Sequence, residues 1–275
     1  MKTWQRCAGI LGSAMGLLWA SFSGGEELIS GCYRFIYDPM EFSQWEVEEF
    51  SREAEERCEK LKIFLDVVRK EPIDVHVRSG QGISTTVPHK NKAMDLFFLK
   101  PIRGVEAPIV HETAHIFLDS PNPVLREGLA TAMEERFGTL RTHPTYGLSL
   151  VEWMKGLECA ERIVGLAQLE KTDWREGAWE ANPIAYVQSG SFVAFLIERY
   201  GAEEVGKALK WTQRFRPTNL ERVCEVRFNK SLKDLEKEWL ETLKSEPMNP
   251  SARELCQALK TGKVKEFLHK RLTTH

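Results

Sequence analysis

The chain has 275 residues, enough for one large domain, or for a catalytic domain with a smaller partner, around a substantial buried core. Its hydrophobic share of 42% and charged share of 28% are those of a globular protein and exclude a disordered one. A net charge of -2, with Lys and Arg spread along the chain, gives no electrostatic case for a nucleic-acid partner.

The first 25 residues read as a leader. Lys2 and Arg6 are basic, Cys7 to Phe22 is uncharged, and the small residues Ser21, Ser23, Gly24 and Gly25 follow. A basic start, a short apolar run and a small-residue exit describe a secretory signal peptide, cut somewhere after Ala20 to Gly25. The run is about 16 residues, short of the roughly 20 needed to span a bilayer. No other segment is long and apolar enough to cross, so the expectation is an exported protein, periplasmic or extracellular, with no stable membrane span. Ile29-Ser30-Gly31-Cys32 resembles a bacterial lipoprotein box, which would put a lipid on Cys32. Glu26 and Glu27 interrupt the uncharged stretch that such a signal keeps, so leader cleavage is favoured over lipid anchoring. The six cysteines are Cys7, Cys32, Cys58, Cys159, Cys224 and Cys256. None forms a CxxC pair, which argues against a cysteine zinc site. With Cys7 lost in the leader, an odd number remains, so at least one stays unpaired unless it bridges chains.

Residues 33–37 (YRFIY) read as a strand. From about Glu41 to Arg69, residues Phe42, Trp45, Val47, Phe50, Ala54, Cys58, Leu61, Phe64 and Val67 fall near one stripe, which predicts a helix ended by Pro72. Ile73-Asp74-Val75-His76-Val77 alternates as a half-buried strand should. Gly80 to Lys92 reads as a polar loop, and Met94 to Leu99 as another strand. A helix is expected from about Val105 to Leu118, broken by Asp119-Ser120-Pro121-Asn122-Pro123. A second runs from about Val124 to Phe137 and stops at Gly138. After a loop at 139–148 the pattern is helical, at about 149–169, 184–200, 202–211, 230–244, 250–260 and 262–272. A loop rich in Trp and charge, 171–183, lies between the first two of these. Strands first and helices later predict an α+β fold: a small mixed sheet with an active-site helix over 26–140, then a mainly helical part over 141–275.

His111-Glu112-Thr113-Ala114-His115 carries the chemistry. On a helix, residues four apart point the same way, so His111 and His115 can present two imidazole nitrogens to one ion. Glu112 sits one step round, where its carboxylate can take a proton from a water on that ion. The flanks Ala107, Pro108, Ile109, Val110 and Ile116, Phe117, Leu118 are apolar, which disfavours a solvent-facing helix with incidental histidines. A hydrolytic zinc site wants three protein ligands and one open position. Glu127, near the start of the next helix, is within reach after the short turn, and Gly128 allows close backbone approach. Spacing alone leaves Glu127 evenly balanced between a third ligand and an exposed glutamate favoured by the helix dipole.

HETAH followed by PVLREGLATAMEERFG resembles the gluzincin, or peptidase-MA-like, zinc metallopeptidases, in which HExxH precedes a helix with a W-L-x-E-G-x-A type sequence. The resemblance implies a zincin-like catalytic domain, one zinc per chain, and Glu127 as third ligand beside His111 and His115. It extends to Ala185-Tyr186-Val187-Gln188-Ser189-Gly190 and on to Arg199-Tyr200-Gly201, similar to a later helix of that group. The tyrosine opening that helix in related aminopeptidases hydrogen-bonds the oxyanion, which implies that role for Tyr186; a packing tyrosine is the alternative. His143 and Tyr146 are weaker candidates. The family's strand before the HExxH helix lies along the substrate backbone, a place that residues 95–99 (DLFFL) would fill. The chain departs from the aminopeptidases in a shorter gap to Glu127, in Arg126 where they have Asn, and in lacking their Gly-x-Met-Glu-Asn sequence, so aminopeptidase activity does not carry over.

The implied reaction is hydrolysis of a peptide bond by a zinc-activated water, with Glu112 as general base and Tyr186 sharing the oxyanion with the metal. Each ligand should have a partner that orients it, and Asp119 and Glu134 are the neighbours in sequence. Met94, Phe97, Phe98, Trp153, Trp174 and Trp179 read as core more than as cleft lining. The partner implied is a peptide or protein substrate. A catalytically inactive binding scaffold, and a zinc amidase acting on a non-protein amide such as cell-wall material, are the competing functions. Oligomeric state is not given by the sequence.

Overall fold

The computed structural model describes residues 25–80, 84–87, 93–98, 107–141, 143–171, 181–215 and 219–273. The expected leader as far as Gly24, Trp174 and Trp179, and the side chains of Phe97 and Phe98 lie outside these, as does the expected helix start at Val105. The fold is mixed α/β, dominated by helix, with one small sheet.

Five strands form the sheet, in the order β1-β2-β3-β5-β4. They are β1 (Glu26–Ser30), β2 (Tyr33–Tyr37), β3 (Ile73–Ser79), β4 (Thr85–Val87) and β5 (Ala93–Phe98). β2, β3 and β5 run parallel, while β1 and β4 are antiparallel to their neighbours at the two edges. Alternation sets the faces: Tyr33, Phe35, Tyr37, Val75 and Val77 are buried, while Arg34 and Asp74 pair across adjacent strands on the opposite side with two contacts of 2.8 Å.

Two strands were hidden from sequence reading. β1 precedes the first expected strand, and β4 falls inside the expected polar loop 80–92. β4 changes the functional expectation as well. It pairs with Ala93, Met94 and Asp95 of β5, whose other side pairs with β3, so Asp95, the first residue of the expected substrate strand, is interior, while residues 96–98 have a strand partner on the β3 side only among the described residues. The outer edge of β4 has no strand partner among the described residues.

Between β2 and β3 runs α1 (Gln44–Leu65), started by a reciprocal cap between Ser43 and Glu46. It ends at Leu65, before the expected Arg69, because Asp66 turns left-handed (φ 51°). Its buried stripe Val47, Phe50, Ala54, Cys58, Leu61 and Leu65 covers the sheet. Cys58 on that stripe is bonded to Cys32 in the β1–β2 turn.

The remaining helices are α2 (Ile109–Phe117), α3 (Pro123–Phe137), α4 (Leu150–Cys159), α5 (Leu166–Leu169), α6 (Ala181–Tyr200), α7 (Ala202–Phe215), α8 (Leu220–Val223), α9 (Leu232–Ser245), α10 (Pro250–Thr261) and α11 (Val264–Thr273). The expected single helix 149–169 is broken after Cys159, where Glu161 takes a left-handed conformation and the chain turns into Gly165. α8 and a π-helical turn at Cys224–Phe228 were not expected. One buried apolar cluster runs from β2 through α2 and α3 to Leu268 in α11, and Met94 and Trp153 belong to it. Cys159 and Cys256 join α4 to α10, and Cys224 is buried and free among the described residues. Among the described residues, no helix is long and apolar enough to cross a membrane.

Candidate metal centre

α2 is buried nearly all round, so its polar side chains must find partners inside the protein. Thr113 does so with the Ile109 carbonyl (2.6 Å) and the Tyr33 hydroxyl (2.8 Å), tying the helix to the sheet. Pro108 at its N-cap offers no capping side chain. Glu134 of α3 caps it from outside: Oε2 accepts from the His111 amide at 2.9 Å and Oε1 from the Thr139 amide at 2.8 Å. Burial pushes the Glu134 carboxyl up in pKa against the pull of those two amides.

α3 folds back on α2 through a short turn closed by Asn122, whose side chain accepts from the Leu125 amide at 3.1 Å, with Pro123 next. This brings Glu127 against the two histidines. Its Oε2 lies 3.4 Å from His111 Nε2 and 3.2 Å from His115 Nε2. The imidazole rings stand nearly perpendicular, 4.8 Å between centroids. Atoms about 2.0–2.1 Å from one ion at tetrahedral angles stand about 3.3 Å apart, so two sides of this triangle match a tetrahedral zinc site. The donor set of two imidazoles and a carboxylate suits that ion as well.

The electrostatics of the cluster favour positive charge. Burial opposes a charge on His111, but the Glu127 contact and the charges of Glu112, Glu127 and Glu134 outweigh it and raise its pKa. Burial also disfavours ionised Glu127, yet the two imidazoles hold its carboxyl well below the usual range.

Glu112 sits beside this triangle, also buried, and is held from the sheet edge: the Thr86 hydroxyl of β4 donates to its Oε2 at 2.6 Å and to its backbone carbonyl at 3.1 Å. Tyr186, near the start of α6, is half-buried with its ring 6.0 Å from that of His111. His143 lies 5.0 Å from Tyr186 and Tyr146 5.7 Å from His143, ring to ring, so the two weaker candidates continue the same row. The structure thus brings together His111, Glu112, His115, Glu127 and Tyr186. Asp119 is exposed and accepts from the Ser120 amide, so it orients no ligand. Glu134 holds the His111 backbone and not its ring; the buried Nδ1 atoms of His111 and His115 have no hydrogen-bond partner among the described residues.

Two contributors were not singled out from sequence. Thr86 lay in an apparent loop, where the β-branched run Thr85-Thr86-Val87 was the available signal. Arg126, noted only as a departure from the aminopeptidases, donates Nε to Glu127 Oε1 at 2.8 Å. A second group of ligand-type residues, Cys32, Glu55 and Glu59, is spent on structure: the sulfur is in a disulfide, and Glu55 accepts from the Cys32 amide at 2.7 Å.

No protein-family model, curated protein or solved structure matches this chain.

Proposed function

We propose that this chain is a zinc-dependent metallopeptidase of zincin-like design. The observation that carries the reading is the convergence of His111 Nε2, His115 Nε2 and Glu127 Oε2, with Glu112 beside them. A divalent ion held by these three groups supplies Lewis-acid activation of a water near neutral pH.

The chain's own residues supply the rest. Glu112 takes the proton from the attacking water and passes it to the leaving nitrogen. Tyr186 donates a hydrogen bond to the carbonyl oxygen as negative charge develops on it. Buried walls around His111, Glu112 and Glu127 exclude bulk water and strengthen each of these interactions. The outer edge of β4, next to Glu112 and without a strand partner among the described residues, favours an extended peptide, which can add to it as a strand. Two disulfides accord with an oxidising compartment and so with export.

The test is elemental analysis of purified protein, followed by a screen against peptide libraries. Wild type is expected to hold about one zinc per chain, as a site of this type requires. His115→Ala and Glu127→Ala, though folded, lose it; Glu112→Gln keeps zinc but loses cleavage. A wild-type protein that takes up no zinc on reconstitution overturns the reading.

A further inference from the structure

Glu127 uses its two carboxylate oxygens differently. Oε2 faces the two imidazoles, while Oε1 accepts the Nε–H of Arg126 at 2.8 Å. The Glu127 side chain is 8% exposed and that of Arg126 34%, so the pair reaches from the buried cluster to the surface. Among the described residues the guanidinium makes no other ion pair or hydrogen bond, so its single polar commitment is to this carboxylate.

We propose that Arg126 is a positioning residue of the metal centre. By occupying Oε1 it fixes Glu127 as a one-oxygen ligand, and so keeps the fourth coordination position open for water or substrate. The inference rests on the proposed zinc site.

The chemistry follows from the carboxylate. An unrestrained carboxylate can chelate an ion through both oxygens, and the second, added beside the bound water, would raise a four-coordinate ion to five and crowd the position that a hydrolytic site must keep accessible. A charge-assisted hydrogen bond to one oxygen removes that option. Arginine suits the task because its planar fork keeps its charge at any working pH, and the peptide link to Glu127 keeps it close. The contact also satisfies an oxygen that burial would otherwise leave without a partner, an expensive state for a charged group. Surface ion pairs usually contribute little, but here the acceptor is buried and the donor's benefit is read in ligand geometry, not stability.

Cobalt(II) is the probe, because its visible absorption is several-fold stronger in four-coordinate than in five- or six-coordinate sites. The full chain is stripped of metal and loaded with cobalt(II), as wild type, Arg126→Met and Arg126→Lys. The Met variant keeps the apolar stem and removes the donor; the Lys variant keeps a cation. Wild type is expected to show the strong four-coordinate band. Arg126→Met is expected to lose it several-fold and to bind zinc about 10-fold or more weakly in chelator competition, the usual cost of removing a group that orients a ligand. Arg126→Lys recovers most of both. An Arg126→Met protein with the wild-type band and wild-type zinc affinity overturns the proposal while the metal centre stands. A wild type that binds neither metal removes the metal centre itself, and the proposal with it. If the Met variant does not fold, Arg126→Gln is read in the same two measurements.

Discussion

Glu112, the proposed general base, illustrates how a single contact can hold a buried acid in place. Its carboxylate lies at the end of an apolar helix, where it would be costly without a partner. The Thr86 hydroxyl at 2.6 Å supplies one, and it comes from the strand whose edge faces the proposed substrate. Thr86→Val keeps the shape and removes the donor. It should lower kcat roughly 10-fold, by analogy with other groups that orient a reacting side chain, with KM and zinc content near wild type. Thr86→Ser should restore the rate. Equal kcat for Val and wild type would show that Glu112 is held by other means. The convergence of the four principal candidate residues was legible because its geometry is local: helical spacing aligns His111, Glu112 and His115, and one short turn delivers Glu127. Thr86 was not, because its role depends on a strand pairing that brings residue 86 to residue 112. Arg126 was visible as an oddity, and its bond to Glu127 became readable only once both oxygens had positions.

At the scale of elements, the crossing of α3 on α6 sets the site. Gly128 follows Glu127, the proposed third ligand, and a Cβ there would stand 2.6 Å from both the Ser189 carbonyl oxygen and Val193 Cγ2. Gly190 answers it from α6, where a Cβ would meet Thr131 Cγ2 at 2.8 Å. The two glycines let the helix carrying Glu127 lie close on the helix carrying Tyr186. Sequence reading rightly took Gly128 as a point of close approach, but assigned the neighbour to α2; the partner is α6, far along the chain, and no local pattern names it. Ala in place of Gly gains roughly 0.5–1 kcal/mol of helix propensity. Overpacking costs about 1–3 kcal/mol or more, and here the obstacle is backbone that cannot rotate away. The clash should win. Gly128→Ala is therefore expected to unfold at lower denaturant than wild type by about 1–2 kcal/mol, the difference of those two effects. A midpoint equal to or above wild type would mean that α3 and α6 separate without cost. The helix break after Cys159 and the strand β4 escaped sequence reading for a related reason: Glu161 in a left-handed turn and a strand of three residues leave almost no periodic trace.

For the whole molecule, the sheet and the helical part share one core, and several phenols are sealed in it or beside it. Tyr33 and Tyr37 are buried on the inner face of the sheet, and Tyr146 is half-buried beside the site loop. Burial is the main cause that raises all three, aided at Tyr37 by the hydrogen bond to Glu26 and at Tyr33 by the charges of Glu55, Glu134 and Glu59, against a Thr113 bond that lowers it. Tyr37 and Tyr146 are pushed up to about 12, and Tyr33 higher still. Burial, and the charges of Glu221, Glu170 and Glu225, push the Cys224 thiol to about 12 in the same direction. An unfolded phenol releases its proton near pH 10, about two units earlier than the folded ones. Over that interval the unfolded state binds fewer protons than the folded one, so stability falls as pH rises. The contribution is fully present below about pH 10 and is lost as pH climbs through about 12. An alkaline titration followed by phenolate absorbance and near-ultraviolet circular dichroism measures both sides of the linkage. The absorbance of these three phenols should rise only as the tertiary signal disappears, in one cooperative step. Ionisation of all five tyrosines near pH 10, with the dichroism intact, would mean that Tyr33, Tyr37 and Tyr146 are not sealed as the packing places them.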